Sequence, residues 1–368
     1  MKYITEYRDK ELAKKLVADI AKEARPDRNY RLMEFCGGHT HVISRYGLEG
    51  ILPKNVRMIH GPGCPVCVMP IGRIDSAIEL ALEHGVILCT YADTMRVPAS
   101  KGLSLMKAKA QGGDIRMIYS AADCLDIARA NPDRNVVFFA IGFETTTPAT
   151  AVVLKQAKAE GLKNFFVFCN HVLTPPAMHH ILKNQEKVQI EGLVGPAHVS
   201  TIIGSEPYET FAKDYSKPVV IAGFEPLDML QSILMLIRQI NRGEAEVENE
   251  FTRAVRPEGN MKAIRMMEEV FALRDSFEWR GLGSVPKSAL KLSDAYSDFD
   301  AEKHFNLVYR SVPDNKACEC GAILRGEKQP SDCRAFGTVC TPESPIGSCM
   351  VSSEGACAAY FTYGRHKR

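Results

Sequence analysis

Short β-branched or apolar runs alternate with helix-like stretches over most of this chain, which limits its folds more than any other feature. The runs fall at 31–35, 56–60, 86–90 and 115–119, then at 136–141, 165–169, 192–194 and 219–222. Between them lie helix-like segments such as 74–83, 122–130 and 148–160. Strands that alternate with helices imply parallel sheets covered on both faces, an α/β fold. Eight runs in two sets of four suggest two similar α/β domains, 28–130 and 131–230. A leading helix over 2–24 precedes them, stopped by Pro26. After residue 226 the pattern changes to amphipathic helices at 227–242 and 261–271, then to a polar stretch rich in Gly, Pro and Cys. We read 231–368, completed by residues 1–27, as a third, cysteine-bearing domain.

At 368 residues the chain has room for two or three cores. A net charge of +2 argues against nucleic acid as the main partner, and the basic run at 364–368 reads as a solvated end. No stretch approaches the roughly 18 apolar residues of a membrane span. Residues 1–10 have no apolar segment behind a basic start, so no signal peptide is expected. The expected location is therefore the cytoplasm, where clustered cysteines mean metal or redox chemistry more often than structural disulfides.

The twelve cysteines are unevenly placed. Ligands in α/β folds collect at the carboxyl ends of strands, and unusual residues stand there in unit after unit: Cys36-Gly37-Gly38-His39 after the first run, Gly61-Pro62-Gly63-Cys64 after the second, Gly142-Phe143-Glu144-Thr145-Thr146-Thr147 after the fifth and Gly195-Pro196-Ala197-His198 after the seventh. One cleft shared by two domains would collect them. Cys64-Pro65-Val66-Cys67 has the spacing of a redox dithiol, the reading favoured over half a zinc site or two buried structural thiols because no second CxxC completes four sulfurs. Cys36 reads as a ligand or nucleophile polarised by His39 and His41, or as a core cysteine at a strand end. Glu144 and its threonines sit where a helix would be capped. No phosphate loop is present, so nothing supports nucleotide hydrolysis.

Six cysteines fall between Cys318 and Cys357. Cys320, Cys333, Cys340 and Cys357 are spaced C-x12-C-x6-C-x16-C among glycines and prolines. Four thiolates from loops can hold a [4Fe-4S] cluster or a tetrahedral zinc, and spacing does not choose between them. Cys318 and Cys349 are left outside that set.

Taken together, Phe35-Cys36-Gly37-Gly38-His39-Thr40, Gly61-Pro62-Gly63-Cys64-Pro65-Val66-Cys67, Ile141-Gly142-Phe143-Glu144-Thr145-Thr146, Gly195-Pro196-Ala197-His198 and Cys349-Met350-Val351-Ser352-Ser353-Glu354-Gly355-Ala356-Cys357 resemble the HypD family of hydrogenase maturation factors along essentially the whole chain. The resemblance implies a scaffold that assembles the Fe(CN)2CO unit of [NiFe]-hydrogenase, with redox activity rather than free-standing turnover. It implies a [4Fe-4S] cluster on Cys320, Cys333, Cys340 and Cys357. Cys36 would hold the iron jointly with a cysteine of a small chaperone, HypC, and a cyanide-carrying partner, HypE, would dock on that complex. It further implies that His39 and Glu144 face the bound unit, that Cys64 and Cys67 are the redox pair, and that His198 and Glu354 handle protons or ligands. The rival readings are an Fe-S-dependent protein-disulfide reductase and a zinc-stabilised interaction protein.

Overall fold

The computed structural model describes residues 6–184 and 188–364; the first five residues and the basic run after Gly364 lie outside them. Nine parallel strands form its frame: β1 (Tyr30–Glu34), β2 (Val56–His60), β3 (Ile87–Thr90), β4 (Ile115–Met117), β5 (Val136–Gly142), β6 (Phe165–His171), β7 (Gly192–Gly195), β8 (Val219–Ile221) and β9 (Val247–Asn249). The alternation thus delivers the expected parallel α/β fold. β5, inside its sheet, is buried at every position, and so is β6 at the edge, which the Asp300 and Leu290–Leu292 segments cover.

The grouping of the strands corrects the expectation of two sets in chain order. One sheet has the order β2-β1-β7-β8-β9 and the other β4-β3-β5-β6. The chain begins one sheet, leaves it for four strands, and returns to finish it. A division at residue 130 therefore cuts the second sheet, and 28–60 belongs with 192–249. Each strand announces itself locally, but the pairing of Leu32 with Gly192 spans most of two domains and has no local signature.

The leading helix also differs from the reading. A 3-10 turn, Glu6–Arg8, precedes the helix Lys10–Glu23, where Asp9 caps the free Glu11 and Leu12 amides. That helix lies on Pro226–Arg242. Pro226 opens this second helix, with reciprocal capping between Glu225 and Asp228. Its apolar stripe, including Leu230, Ile233 and Ile237, is buried with Tyr30, Leu32 and Val194 of the first sheet. Residues 10–23 and 226–242 hence cover the first sheet instead of completing a cysteine-bearing domain. The stripe decides this, because a buried Leu or Ile contributes about 1.5–3 kcal/mol only where it finds an apolar face.

The remaining chain forms two short antiparallel ladders, Phe271–Leu273 with Leu290–Leu292 and Ser276–Trp279 with Gly283–Pro286. An irregular stretch then leads to the helix Ala356–Gly364. This tail has no core of its own. Cys320, Cys340, Met350 and Cys357 are buried in one cluster with Phe139 and Phe168 of the second sheet and with Cys64 and Cys67.

Candidate metal and thiol site

β1 ends at Glu34, and two residues later Cys36 stands in extended backbone (φ −143°, ψ 124°) as the cap of the helix Gly37–Tyr46. The loop after β2 lies directly on it. Gly37 N–H donates to Gly63 O at 3.1 Å, and a Cβ at Gly63 would strike the main chain of Cys36. Glycine is used here for close approach of two backbones. The loops bearing Cys36 and Cys64 are thereby joined.

Beneath Cys36 lies a buried polar network that the sequence reading missed. Glu34 Oε2 accepts the Cys36 amide at 2.8 Å, and Oε1 accepts His60 Nδ1 at 2.9 Å and the Thr40 hydroxyl. Burial would lower the His60 pKa, but the bond and charge of Glu34 outweigh it and leave the imidazole above its ordinary value. Burial, followed by the charge of Glu34, pushes the Cys36 thiol up to about 12, against the amides of Gly38 and His39. Cys36 is thus a neutral thiol held among carboxylates.

The other predicted residues gather around it. His39 Nε2 lies 3.0 Å from the carbonyl of Ala222 and so donates to it, which leaves Nδ1 a bare, buried lone pair without a partner. Burial lowers the pKa of this imidazole, which keeps it neutral. The Phe224 ring stands between His39 and His198, with centroids 5.3 and 4.1 Å away. His198 is exposed, at the mouth of the site. Glu354 lies against Gly37, where it leaves no room for a Cβ. Burial first, then the charges of Asp93 and Glu34, raise its pKa. Glu354 opens on a pocket of about 400 Å3 that Pro65, Tyr91, Asp93 and Gly142 also line. Glu144 is placed less directly: its oxygens accept the Thr174 amide at 2.8 Å and hydroxyl at 3.0 Å, which ties the loop after β5 to the one after β6. Burial raises its pKa to about 7.

Cys64 and Cys67 are joined by a disulfide, with Cα atoms 5.2 Å apart. They frame a single helical turn, Pro65–Val68, and a separate helix, Ile71–Leu82, follows Pro70. The tail is bonded to this turn from behind. Ser348 Oγ donates to Cys67 O at 2.6 Å, and the Arg280 amide donates to Val68 O at 2.8 Å. Next to that contact the tail thiols meet. Cys318 bonds Cys320, Cys320 bonds Cys357, and Cys349 lies beside Cys357. The sulfurs of Cys318 and Cys320 press on Gly347, which has no room for a side chain. Cys340 Sγ accepts the Ile346 amide at 3.4 Å, and Cys333 packs half-buried against the same core cluster. The thiol bonds, then burial, raise the Cys318 and Cys357 pKa values. Among the described residues, no three His, Cys, Asp or Glu side chains converge as a ready single-ion site. The donor set is a buried chain of soft thiols, which fits a sulfur-rich group better than a hard cation.

A family model described as "Hydrogenase formation hypA family", HypD, matches residues 11–364. The hydrogenase maturation factor HypD of Cupriavidus necator is 65% identical over 372 aligned residues, which take in all of this chain and 98% of that protein. Those of Rhodobacter capsulatus and Escherichia coli are 50% and 45% identical, each alignment covering 99% of this chain and 98% of the relative. The chain belongs to the HypD family of hydrogenase maturation factors.

Within this HypD-family chain, sequence reasoning named the residues at the strand ends and missed those that hold them. Glu34 carried a readable signal, a carboxylate between the apolar Met33 and Phe35 at the end of a strand run beside Cys36. His60, the last residue of β2, looked like a strand end, and only the pairing of Glu34 with His60 across β1 and β2 brings the two together. Phe224, Arg280 and Ser348 carried no signal, since each acts through a contact with a distant segment.

Proposed function

We propose that this chain is a scaffold on which the Fe(CN)2CO unit of [NiFe]-hydrogenase is assembled, with Cys36 as its iron ligand. The observation that carries this reading is the joining of three sulfur groups through two hydrogen bonds, Gly37 N–H to Gly63 O and Ser348 Oγ to Cys67 O. Iron here is cargo. Without it, Glu34 and Glu354 disfavour the Cys36 thiolate; an arriving cation reverses that balance and is itself stabilised by the Glu34 carboxylate. The thiol proton released on binding passes to Glu354, whose raised pKa makes it the better base. The lone pair of His39 Nδ1 is a second donor beside the iron, and His198 at the mouth meets incoming groups.

The tail thiols would hold a [4Fe-4S] cluster, which supplies one-electron transfer when bound. When the Cys64–Cys67 disulfide forms from two thiols, it releases two electrons and two protons, and its reduction takes them back. The partners in this reading are the small chaperone HypC and the cyanide-carrying HypE, in the cytoplasm. A protein-disulfide reductase is the weaker reading, because Cys64 and Cys67 are 3% and 0% exposed and cannot reach a folded substrate. Replacing Cys36 with Ala should abolish the iron–carbonyl infrared bands of the complex with the chaperone. Bands of wild-type intensity would sink the assignment.

A further inference from the structure

Arg280 is a cation without a complete set of partners. It is 3% exposed, and its Nε donates to Asp314 Oδ1 at 2.6 Å. Its Nη1 is buried and bonded to nothing, the sole cationic nitrogen in that condition among the described residues. A buried charged donor left unpaired costs more than an unpaired neutral one, and folded proteins seldom leave such groups unsatisfied. The position therefore calls for an acceptor, and for one that carries negative charge.

The surroundings identify it. Arg280 sits between the two sulfur groups in the chain of contacts: its amide bonds Val68, the residue after Cys67. The next residue, Gly281, meets Gly321 backbone to backbone, and Gly321 follows Cys320. Arg280 lines a cavity with Asn315, Pro345 and Ile346, which flank Cys318 and Gly347 in sequence. Asn315 O accepts the Cys318 amide at 2.8 Å, and the Ile346 amide donates to Cys340 Sγ at 3.4 Å, so the lining of that cavity is bonded to the tail cysteines. Neutral thiols are poor acceptors for a guanidinium, whereas anionic sulfur is a good one.

We propose that Arg280 is a positioning residue for the tail sulfur group, donating from Nη1 to anionic sulfur there and favouring the state with one more electron. This rests on the reading that the tail cysteines hold an iron–sulfur cluster. Thiolate ligands make such a group negative, and each added electron makes it more so. A fixed cation and an N–H donor then favour reduction. Asp314 opposes Arg280 by neutralising part of its charge from the Nε side, so the two residues should act in opposite directions. A residue that merely held the loops together would not produce that sign.

The test begins with anaerobically prepared full-length protein, assayed for iron and acid-labile sulfide before any variant is made. A wild-type chain free of both removes the cluster reading, and this inference with it. With the cluster present, dithionite titration followed by visible absorbance gives the one-electron midpoint potential. Arg280→Gln should lower the equilibrium constant for reduction about tenfold, a shift of about 59 mV to more negative potential. Arg280→Lys should restore part of the loss, and Asp314→Asn should shift the potential the other way. Unchanged potentials at wild-type iron content, or shifts of one sign in both Gln and Asn variants, overturn the role of Arg280 while leaving the cluster intact. Should Arg280→Gln fail to keep its cluster, Asp314→Asn decides alone: a positive shift supports the role and none overturns it.

Discussion

Cys36 stands alone in its site with Glu34 and Glu354 as charged neighbours, whereas Cys318, Cys320 and Cys357 bond to one another within reach of the Arg280 charge. The first environment penalises a thiolate until a cation arrives. It suits a ligand that is loaded and emptied. The second crowds soft donors in a buried space and provides positive charge, which suits a resident group. The two lie on opposite sides of the Cys64–Cys67 turn, held by Gly63 on one side and Ser348 on the other. Identical side chains are given different environments by the sign of the charge beside them.

The comparison breaks most visibly if the two sites fail together. Cys320→Ser should cost the chain the about four irons of a tail cluster, while Cys36→Ala should leave that iron in place and abolish the carbonyl bands. Metal analysis and infrared spectra of both variants check this, and equal loss in both would merge the two sites into one. Next in size is the reactivity of Cys36. A thiol at about 12 instead of 9.0 carries about a thousandfold less thiolate near neutrality, so its alkylation should be slow, and Glu34→Gln should speed it by lowering that pKa. The sign for stability follows, because the folded pKa is raised. The contribution of the protonated thiol is present below pH 9.0 and is lost as pH rises from there toward 12.

A buried acid and base that are not thiols titrate at lower pH. Glu144 is raised by burial to about 7 from 4.5, so its contribution is lost as pH rises across that window. His171 is lowered by burial to about 4 from 6.5, so its contribution is lost as pH falls across its own. Each amounts to about 3 kcal/mol, and between pH 4.5 and 6.5 they oppose. Denaturant melts should show Glu144→Gln gaining a rising stability–pH slope there that the wild type lacks. Gly63→Ala and Gly347→Ala press a methyl onto Cys36 and onto the Cys318 and Cys320 sulfurs respectively. Each should cost about 1–3 kcal/mol and damage only its own site. The smallest effect belongs to Ser348→Ala, which removes the bond to Cys67 O at a cost of about 1 kcal/mol and should loosen tail from turn without emptying either.

Much of this was legible in the chain. The run at 56–60 is β2 with the same limits, and 148–160 is one residue short of the helix Thr147–Glu160. Cys36, His39 and His198 follow β1 and β7, and such glycine-rich strand ends mark themselves in the sequence. The three-residue strand β9 and the short ladders after residue 270 were missed, since so few residues show no period. Cys318 was set aside on spacing, yet its sulfur and that of Cys320 meet at Gly347.

By itself the sequence determined the α/β class, the strand positions, the uneven cysteines and the motifs that tie the chain to its family, because each is written in residues close together. Only the tertiary structure decided which sheet a strand joins, that Glu34 and His60 lie under Cys36, and that a buried guanidinium nitrogen of Arg280 is left unpaired. Pairing and electrostatic neighbourhood are set by contacts between segments far apart in the chain, and hydropathy does not carry their address.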